Sequence, residues 1–446
     1  MTIEDSRRNA AIGQSPTKAD VVCIRYDDLV AACLGDDGSG SSSSSSNSSS
    51  DVDVAHLIEC AFSSIGLGII AITDVPNLSD GRIRLLRLSR DLATLPSEVL
   101  DGITVPESMY QVGWSHGREK LEGDRLDYGK GSFYANPLTE DLVETMLGRR
   151  RRRSCEGSDV LSEWEDDESI GIIGTDDGLR ELASSNPAFF APNVWPTEHL
   201  PEVESTFREV GGLIHEVGIM VAKCCDSYVS SLCPGYERKL ERILRHSKCC
   251  KARLLHYFPP PEEEEEEEDS APDDEDDQAN NDNGVATDEF SDWCGWHNDH
   301  GSLTGLLPAL YLDGDGNIID GPPDVEVGLY IKSRDGRLLK AYIPENAVAF
   351  QVGETAQIHT GGLLKATPHA VRGCRGPERV SRETFAVFME PEFHCAMDLP
   401  VGRTLEDTQC VEDERLLPSS VRTLRSRWKL GMTFGDFSNA TFAAFH

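Results

Sequence analysis

The most informative part of this 446-residue chain is the stretch Trp296-His297-Asn298-Asp299-His300-Gly301-Ser302-Leu303-Thr304-Gly305-Leu306. Of its twelve histidines, His297 alone is followed by an acidic residue two positions later. On a strand, this spacing places both side chains on one face, where an imidazole nitrogen and a carboxylate oxygen can bind one metal ion. Because the chain is rich in Asp and Glu, such a triplet also arises by chance, and a structural histidine is the default interpretation without further support.

A second histidine downstream supplies that support. His369 is followed after ten and twelve residues by Arg379 and Ser381, just before a β-prone run. Two imidazoles and one carboxylate are typical of non-haem Fe(II) sites, which keep open positions for a bidentate co-substrate and dioxygen. An arginine near the last ligand has the fork geometry to bind a distant carboxylate of that co-substrate, and a serine hydroxyl adds a hydrogen bond.

Other residues compete for these roles. His300 follows Asp299 directly and is predicted to face the opposite side of the strand, so a structural position is the favoured interpretation. Two further histidines are weaker candidates for the last ligand and are interpreted as core residues: His359 and His394. Two arginines compete with Arg379 for the co-substrate: Arg372 and Arg382. The spacing from His369 favours Arg379.

Short β-prone runs from residue 252 onwards predict an all-β sandwich or barrel rather than βαβ units. These runs are 253–258, 328–333, 341–343, 347–352 and 384–389. Before them, apolar periodicity predicts an opening strand at 21–26, a helix at 54–62, a strand at 66–73, a helix at 82–100 and a long helix at 201–233 that backs a sheet.

Further segments now carry a family resemblance: Gly328-Leu329-Tyr330-Ile331, Gly353-Glu354, Gln357-Ile358, His369-Ala370-Val371 and Arg379-Val380-Ser381. With the opening stretch, they resemble in order and spacing the isopenicillin-N-synthase-like branch of the 2-oxoglutarate and Fe(II)-dependent oxygenases, as a divergent subgroup. The resemblance implies that His297, Asp299 and His369 are the catalytic residues and iron ligands. It also implies that Arg379, Ser381 and Tyr257 bind 2-oxoglutarate.

The resemblance further implies a mainly β fold with flanking helices: a double-stranded β-helix core, jelly-roll and cupin-like, with an N-terminal α/β region. The implied activity hydroxylates or desaturates a small organic metabolite and couples dioxygen activation to decarboxylation of 2-oxoglutarate to succinate, with ascorbate as a supporting reductant. Two alternatives stay open. One is an inactive barrel that acts as a binding or scaffold protein, and the other is an iron oxidase that does not use 2-oxoglutarate.

The sequence departs from the family pattern at two places. His256-Tyr257-Phe258-Pro259 stands where the family has Asn-Tyr-Tyr-Pro, so one hydroxyl contact to 2-oxoglutarate is lost. The gap between His297 and His369 is longer than usual, which predicts an extended loop near the site. In a pre-core segment that looks like one subgroup of the family, Trp114 or Phe133 is predicted to line the substrate side.

Composition shifts predict the domain organisation. We expect a disordered tail at 1–20, an N-terminal region at 21–251 with flexible inserts at 36–53 and 149–168, an oxygenase core at 252–396 and a C-terminal helical or irregular extension at 397–446. The core contains an acidic insert at 262–289, which we interpret as an unstructured solubilising loop. Arg149–Arg153 admits a nuclear-localisation interpretation, against which a solvated surface loop is favoured.

The charge and cysteine content exclude several classes of protein. The formal net charge of −36 argues against nucleic-acid binding, and no apolar run is long enough to span a membrane. Thirteen cysteines without a Cys-x-x-Cys pair predict reduced thiols rather than a disulfide framework or zinc ribbon. We therefore expect a cytoplasmic monomer whose partners are dioxygen and a small-molecule substrate.

Overall fold

The fold is that of a computed structural model, which describes residues 17–35, 52–118, 126–156, 175–259, 294–323, 325–373, 379–415, 417–418 and 421–445. The predicted acidic insert, the serine-rich insert apart from residues 52–53, and nearly all of the predicted N-terminal tail lie outside the described residues. Eleven cysteines in the described part of the chain carry free thiols. None of the described helices is long and apolar enough to cross a membrane.

The strands lie mostly in the second half of the chain. They are β1 (Thr17–Asp20), β2 (Val22–Arg25), β3 (Ile69–Thr73), β4 (Gly113–His116), β5 (Lys130–Ala135), β6 (Cys250–Tyr257), β7 (Cys294–His297), β8 (Leu303–Leu306), β9 (Leu310–Leu312), β10 (Ile318–Ile319), β11 (Gly328–Lys332), β12 (Leu338–Tyr342), β13 (Ala347–Val352), β14 (His369–Arg372) and β15 (Ser381–Met389).

Most of the helices come before β6 or after β15 in the chain. They are α1 (Tyr26–Gly35), α2 (Val54–Phe62), α3 (Leu78–Ala93), α4 (Ser97–Gly102), α5 (Leu142–Glu156), α6 (Asp176–Ser185), α7 (Pro187–Phe190), α8 (Glu202–Leu232), α9 (Lys239–His246), α10 (Glu354–His359), α11 (Leu405–Thr408), α12 (Val411–Glu414), α13 (Leu424–Arg427) and α14 (Phe434–Phe445).

Two sheets enclose the interior of the molecule. The minor sheet has the order β1-β12-β11-β14-β7, and the major sheet runs β2-β3-β13-β8-β15-β6-β5-β4, with β9 and β10 attached beside β15. Neighbouring strands are antiparallel except the pairs β1–β12 and β2–β3. Non-consecutive strands therefore lie side by side, as they do in a jelly roll.

Apolar side chains from both sheets meet in an interior cluster. Its buried members are Val21, Ile69, Ala71, Leu255, Tyr257, Tyr311, Val327, Leu329, Ile331, Ala341, Ala347, Ala349, Val371 and Val380. Along β6 and β13 these members alternate with residues that face the helices, because side chains on a strand point to opposite faces in turn. A residue's position in this alternation thus tells whether it faces the interior.

The long helix α8 packs on the outer face of the major sheet. Its Phe207 ring lies 5.0 Å from the Phe385 ring of β15, edge to face. Gly211 and Gly218 face the sheet, where an added Cβ would overlap Pro137 and Met389 respectively, so the helix can approach the strands closely. The predicted helix at 201–233 is therefore present, and it backs the sheet that positions the interior.

Three predicted elements differ from the structure. The opening strand predicted at 21–26 corresponds to β2 alone, a separate strand β1 precedes it, and the chain already turns into α1 at Tyr26. The helix predicted at 82–100 is two helices, because Pro96 cannot continue the first one. Arg149–Arg153 lie in α5 rather than in a loop, and the Arg149 guanidinium bonds to Glu392 at 3.0 Å.

Candidate metal centre

Strands β7 and β14 bring two histidines side by side. His297 and His369 are direct partners in the antiparallel register of these strands, and their ring centroids are 4.3 Å apart. Asp299 follows two residues after His297, where the chain leaves β7 and turns towards β8. The side chains that the sequence places far apart thus converge at one end of the interior.

The three side chains present one ligand atom each to a common point. His297 Nε2 lies 3.8 Å and His369 Nε2 lies 3.9 Å from Asp299 Oδ1. All three atoms lie within 4.8 Å of one another, and no other such group occurs among the residues that the structure describes. An ion placed between them could bind all three, leaving its other coordination positions open.

The surroundings of these residues suit a metal ion. Asp299 Oδ2 is buried without a hydrogen-bond partner in the described part of the chain, as expected for an oxygen that a cation would satisfy. His297 Nδ1 lies 2.9 Å from the carbonyl oxygen of Gly295. With the proton on Nδ1 donated to that carbonyl, the Nε2 lone pair points to the metal position.

The pKa values favour the ligating forms of two of the residues. Burial lowers the pKa of His369 to about 4, so its imidazole is neutral at physiological pH. Burial raises the pKa of Asp299, but the charges of His369 and His297 outweigh it and hold this pKa below its usual value. Burial also lowers the pKa of His297, yet the nearby Cys294 raises it to about 9, so a metal would displace a proton there.

A backbone turn carries Asp299, and α10 holds that turn. The Glu354 amide donates to the Asp299 carbonyl at 2.8 Å, and the Gly353 amide donates to the Ser302 carbonyl at 3.0 Å. Asn298 Nδ2 donates to the Glu354 carboxylate at 3.3 Å. The start of α10 therefore fixes the backbone that carries the Asp299 carboxylate.

Gly353 is required for this close approach, which gives a testable prediction. An added Cβ at Gly353 would overlap the carbonyl oxygen of Gly301. Gly353→Ala is therefore expected to reduce the free energy of unfolding by about 1–3 kcal/mol and to weaken metal binding, because the turn must shift. Chemical denaturation and metal titration measure both effects.

A neighbouring glycine provides the control for that variant. A Cβ on the exposed Gly295 would have no atom within 4 Å, so Gly295→Ala should change the free energy of unfolding by less than about 0.5 kcal/mol. Equal effects of the two substitutions would contradict the role given to Gly353.

The competing histidines lie elsewhere. His300 Nε2 is 3.5 Å from Glu390 Oε1, and its ring stacks on Phe434. His359 is fully buried, with Nε2 3.0 Å from the carbonyl oxygen of Ala396. His394 packs edge to face on Phe393. None of the three belongs to the metal-binding group of the described residues.

Arg379 and Ser381, the residues predicted to bind 2-oxoglutarate, lie just before and at the start of β15. Arg379 is exposed and precedes β15. Ser381 donates to the Glu383 carboxylate at 2.8 Å, and that carboxylate also bonds to His256. Ser381 and Glu383 share the face of β15 on which Phe385 packs against helix α8, so both point away from the interior.

Arg382 lies on the interior face instead. It is buried, pairs with Tyr257 in the register of β15 and β6, and its guanidinium carbon lies 4.9 Å from the centre of the Tyr257 ring. Tyr257 belongs to the interior cluster, as the sequence prediction for its role requires. The alternation of β15 would have identified Arg382 from the sequence if the start of the strand had been known.

The aromatic residues predicted on the substrate side do not face the interior. Phe133 is fully buried against Trp195 and Phe207, on the helix side of the major sheet. Trp114 pairs with Phe133 in the register and belongs to the same helix-side core. Because neighbouring residues on a strand alternate, Ser132 and Tyr134 take the opposite face.

Comparisons with known proteins bear on the fold. No model of a known protein family matches the chain, and no curated protein matches its sequence. The chain is similar in structure to a full-length protein from Neurospora crassa in complex with alpha-KG, with 18% identity, a TM-score of 0.52 and coverage of 94% of this chain and 96% of that one. It is also similar to a putative 2OG-Fe(II) oxygenase family protein from Caulobacter crescentus, with 17% identity, a TM-score of 0.53 and coverage of 96% and 100%.

These likenesses extend over almost the whole of each chain, so they concern the complete fold rather than one motif. They confirm the predicted jelly-roll core with flanking helices. The assignment to the isopenicillin-N-synthase-like branch stays a prediction. By its architecture, this chain has the fold of the 2-oxoglutarate and Fe(II)-dependent oxygenases.

Proposed function

We propose that the protein is a 2-oxoglutarate and Fe(II)-dependent oxygenase that hydroxylates a small organic molecule. The observation that carries this proposal is the convergence of His297, Asp299 and His369 at one end of the jelly-roll interior. This donor set is the one that non-haem Fe(II) oxygenases use, and it leaves open positions on the ion. The shared fold supports the proposal independently.

His297, Asp299 and His369 would hold the iron. When bound, Fe(II) supplies the electron transfer to dioxygen and the chelation of the co-substrate that the side chains of a protein cannot provide. The protein contributes a buried carboxylate that stays ionised, a neutral imidazole at His369 and a backbone turn locked by α10. These features preorganise the ligands before the metal arrives.

For the distant carboxylate of 2-oxoglutarate, we assign Arg382 in place of Arg379. Arg382 is buried on the interior face, and its guanidinium is held over the ring of Tyr257. A planar guanidinium suits bidentate binding of a carboxylate, and contact with an aromatic ring limits its rotation. Thr384 shares this face of β15 two residues further along, but its hydroxyl already donates to the Leu307 carbonyl at 3.2 Å.

The reacting molecule would bind in the interior of the barrel, beside the metal. Its position relative to the iron decides between hydroxylation and desaturation, and hydroxylation needs only that one carbon–hydrogen bond face the metal. A further crystal structure of the full-length Neurospora crassa protein contains thymine, a small organic molecule; at 17% identity and a TM-score of 0.52, this likeness concerns only the fold.

The activity is tested with purified protein, Fe(II), ascorbate, 2-oxoglutarate and dioxygen. Succinate formation that requires all of the components supports the proposal. Iron binding without succinate points to an oxidase that does not use 2-oxoglutarate, and absence of iron binding points to an inactive barrel. Either result would overturn the proposal.

The two arginines give a matched pair of variants. Arg382→Met is expected to weaken 2-oxoglutarate binding about tenfold to 100-fold, because a charge-assisted bond to a buried carboxylate is lost. Arg379→Met removes an exposed guanidinium and should change the affinity by less than about twofold. Anaerobic titration of the Fe(II) protein with 2-oxoglutarate measures both affinities. The reverse order would return the assignment to Arg379.

A further inference from the structure

A second interior arginine lies on the wall formed by β5 and β6. Arg253 is half-buried and pairs with Tyr134 in the register of these strands. Its Nε and Nη2 donate to the Ser132 hydroxyl at 3.0 and 2.7 Å, and its guanidinium carbon lies 4.9 Å from the centre of the Tyr134 ring. Both contacting side chains are buried, so the guanidinium is held in a fixed orientation.

Arg253 faces the interior that contains the metal centre. Leu255 and Tyr257, two and four residues further along β6, belong to the interior cluster, and alternation places Arg253 on the same face. Cys294 shares this space, since its thiol lies 3.8 Å from His297 Nδ1. Cys294 also packs against the interior cluster, so the strand that carries His297 borders the same space as Arg253.

The two interior arginines occupy different levels of the barrel. Arg382 pairs with Tyr257, whereas Ala386 pairs with Arg253, four residues before Tyr257 on β6. At about 3.3 Å per residue, the backbones of the two arginines are separated by roughly 13 Å. Met389, at the end of β15, pairs with Leu303, which follows the turn that carries Asp299. Arg253 therefore lies nearer to that turn than Arg382 does.

We infer that Arg253 binds an oxyanion of the primary substrate. This inference rests on the proposed function, in which the carboxylate of 2-oxoglutarate occupies Arg382. The substrate is then an amphipathic anion, whose carboxylate or phosphate ester binds the guanidinium and whose apolar body lies against the interior cluster. Arginine suits this role because its charge does not depend on pH and its rigid fork matches both oxyanions.

Lys130 contributes to the positive potential of this wall without being the anchor. Its Nζ lies 2.7 Å from the Asp127 carboxylate, and both side chains are almost fully buried. Arg253 is the residue we assign to the oxyanion, because Ser132 and Tyr134 fix the orientation of its two-pronged guanidinium. Substrate discrimination therefore depends on Arg253 and on the two side chains that orient it, Ser132 and Tyr134.

The test uses protein loaded with Mn(II) and saturating N-oxalylglycine, so that the metal and Arg382 positions are filled. Phenylacetate and phenyl phosphate are titrated by calorimetry, with phenylacetamide as the neutral control. At least one anion is expected to bind about tenfold tighter than the amide, and the tighter anion identifies the oxyanion class. Arg253→Met should remove that preference and leave the affinity for N-oxalylglycine unchanged.

Two further variants protect the test against misfolding. Arg253→Lys keeps the charge but not the fork, and Ser132→Ala keeps the guanidinium but not its orienting hydroxyl. Each should lose part of the preference for the anion. Equal binding of amide and anions, or a preference that survives in Arg253→Met, would overturn the inference. Failure of the unaltered protein to bind N-oxalylglycine would instead show that the proposed function itself is wrong.

Discussion

The Asp299→Ala variant is expected to bind Fe(II) at least about 100-fold more weakly than the unaltered protein and to form no succinate. Asp299 supplies the one anionic ligand of the group, and its Oδ1 lies within 4 Å of both histidine Nε2 atoms. Its removal takes away a ligand and also the negative charge that offsets the ion. The loss should therefore exceed the tenfold to 100-fold effect that is typical of residues behind the ligands. Anaerobic titration with Fe(II) measures it.

His300→Gln is the control for that experiment, because the residue is adjacent in the chain but faces away from the metal position. Its Nε2 contacts Glu390 and Ser438, and its ring stacks on Phe434. We expect its Fe(II) affinity to fall by less than about tenfold. Comparable losses in the two variants, at equal stability, would refute the assignment of the ligands.

The convergence of His297 and Asp299 could be predicted from the sequence because strand geometry determines it locally. A two-residue spacing places His297 and Asp299 together when the chain runs through a strand and its end, whatever the rest of the fold does. The last ligand needed the family resemblance, since the pairing of β7 with β14 joins residues 72 positions apart. The long helix α8 was also predictable, because its apolar residues recur at helical spacing over 31 residues.

The arginine that faces the interior was not predictable from spacing. Arg379 has the spacing of the family, but β15 begins only at Ser381, and the alternation from that start turns Arg382 inwards. Nothing in the composition before Ser381 specifies where the strand starts. The role of Arg253 leaves no sequence signal for a related reason, since it depends on Ser132 and Tyr134 of a separate strand.

The sequence predicts the C-terminal extension only as helical or irregular. In the structure this extension contacts the residues that hold the turn carrying Asp299. Arg427 of α13 donates to both carboxylate oxygens of Glu354, at 2.6 and 2.8 Å, and to Thr441 of α14 at 2.9 Å. Glu354 in turn holds Asn298 and the Asp299 backbone. A contact across 73 residues between two buried charges leaves no periodic signal in the sequence.

Arg427→Met is expected to lower the free energy of unfolding by about 3–5 kcal/mol, the usual cost of leaving one member of a buried ion pair without the other. The side chains of Arg427 and Glu354 are only 3% and 2% exposed, so water cannot replace the guanidinium. Fe(II) affinity should also fall, by about tenfold, because Glu354 orients the turn that carries Asp299. Urea denaturation and metal titration measure the two effects.

The same variant has a predicted pH dependence. Burial already raises the pKa of Glu354 in the folded protein, and the charge of Arg427 opposes that rise, so its loss should raise this pKa further. A carboxyl group with a raised pKa in the folded state binds protons more tightly there than in the unfolded chain. Stability must then fall as the pH increases from the unfolded pKa to the folded pKa. The deficit of Arg427→Met should therefore shrink on acidification towards pH ~5.

Arg425→Met is the matched control on the same helix. Arg425 is half-exposed, and its ion pairs with Glu406 and Glu414 span 3.7 and 3.6 Å, so its loss should cost no more than about 1 kcal/mol. The double variant Glu354→Met/Arg427→Met should recover much of the stability lost in Arg427→Met, because no charge is left buried alone. It should not recover the metal affinity, since the Asn298 amide would have lost its acceptor. A double variant that is as unstable as Arg427→Met would show that the stability cost comes from the other contacts of Arg427 rather than from the buried carboxylate.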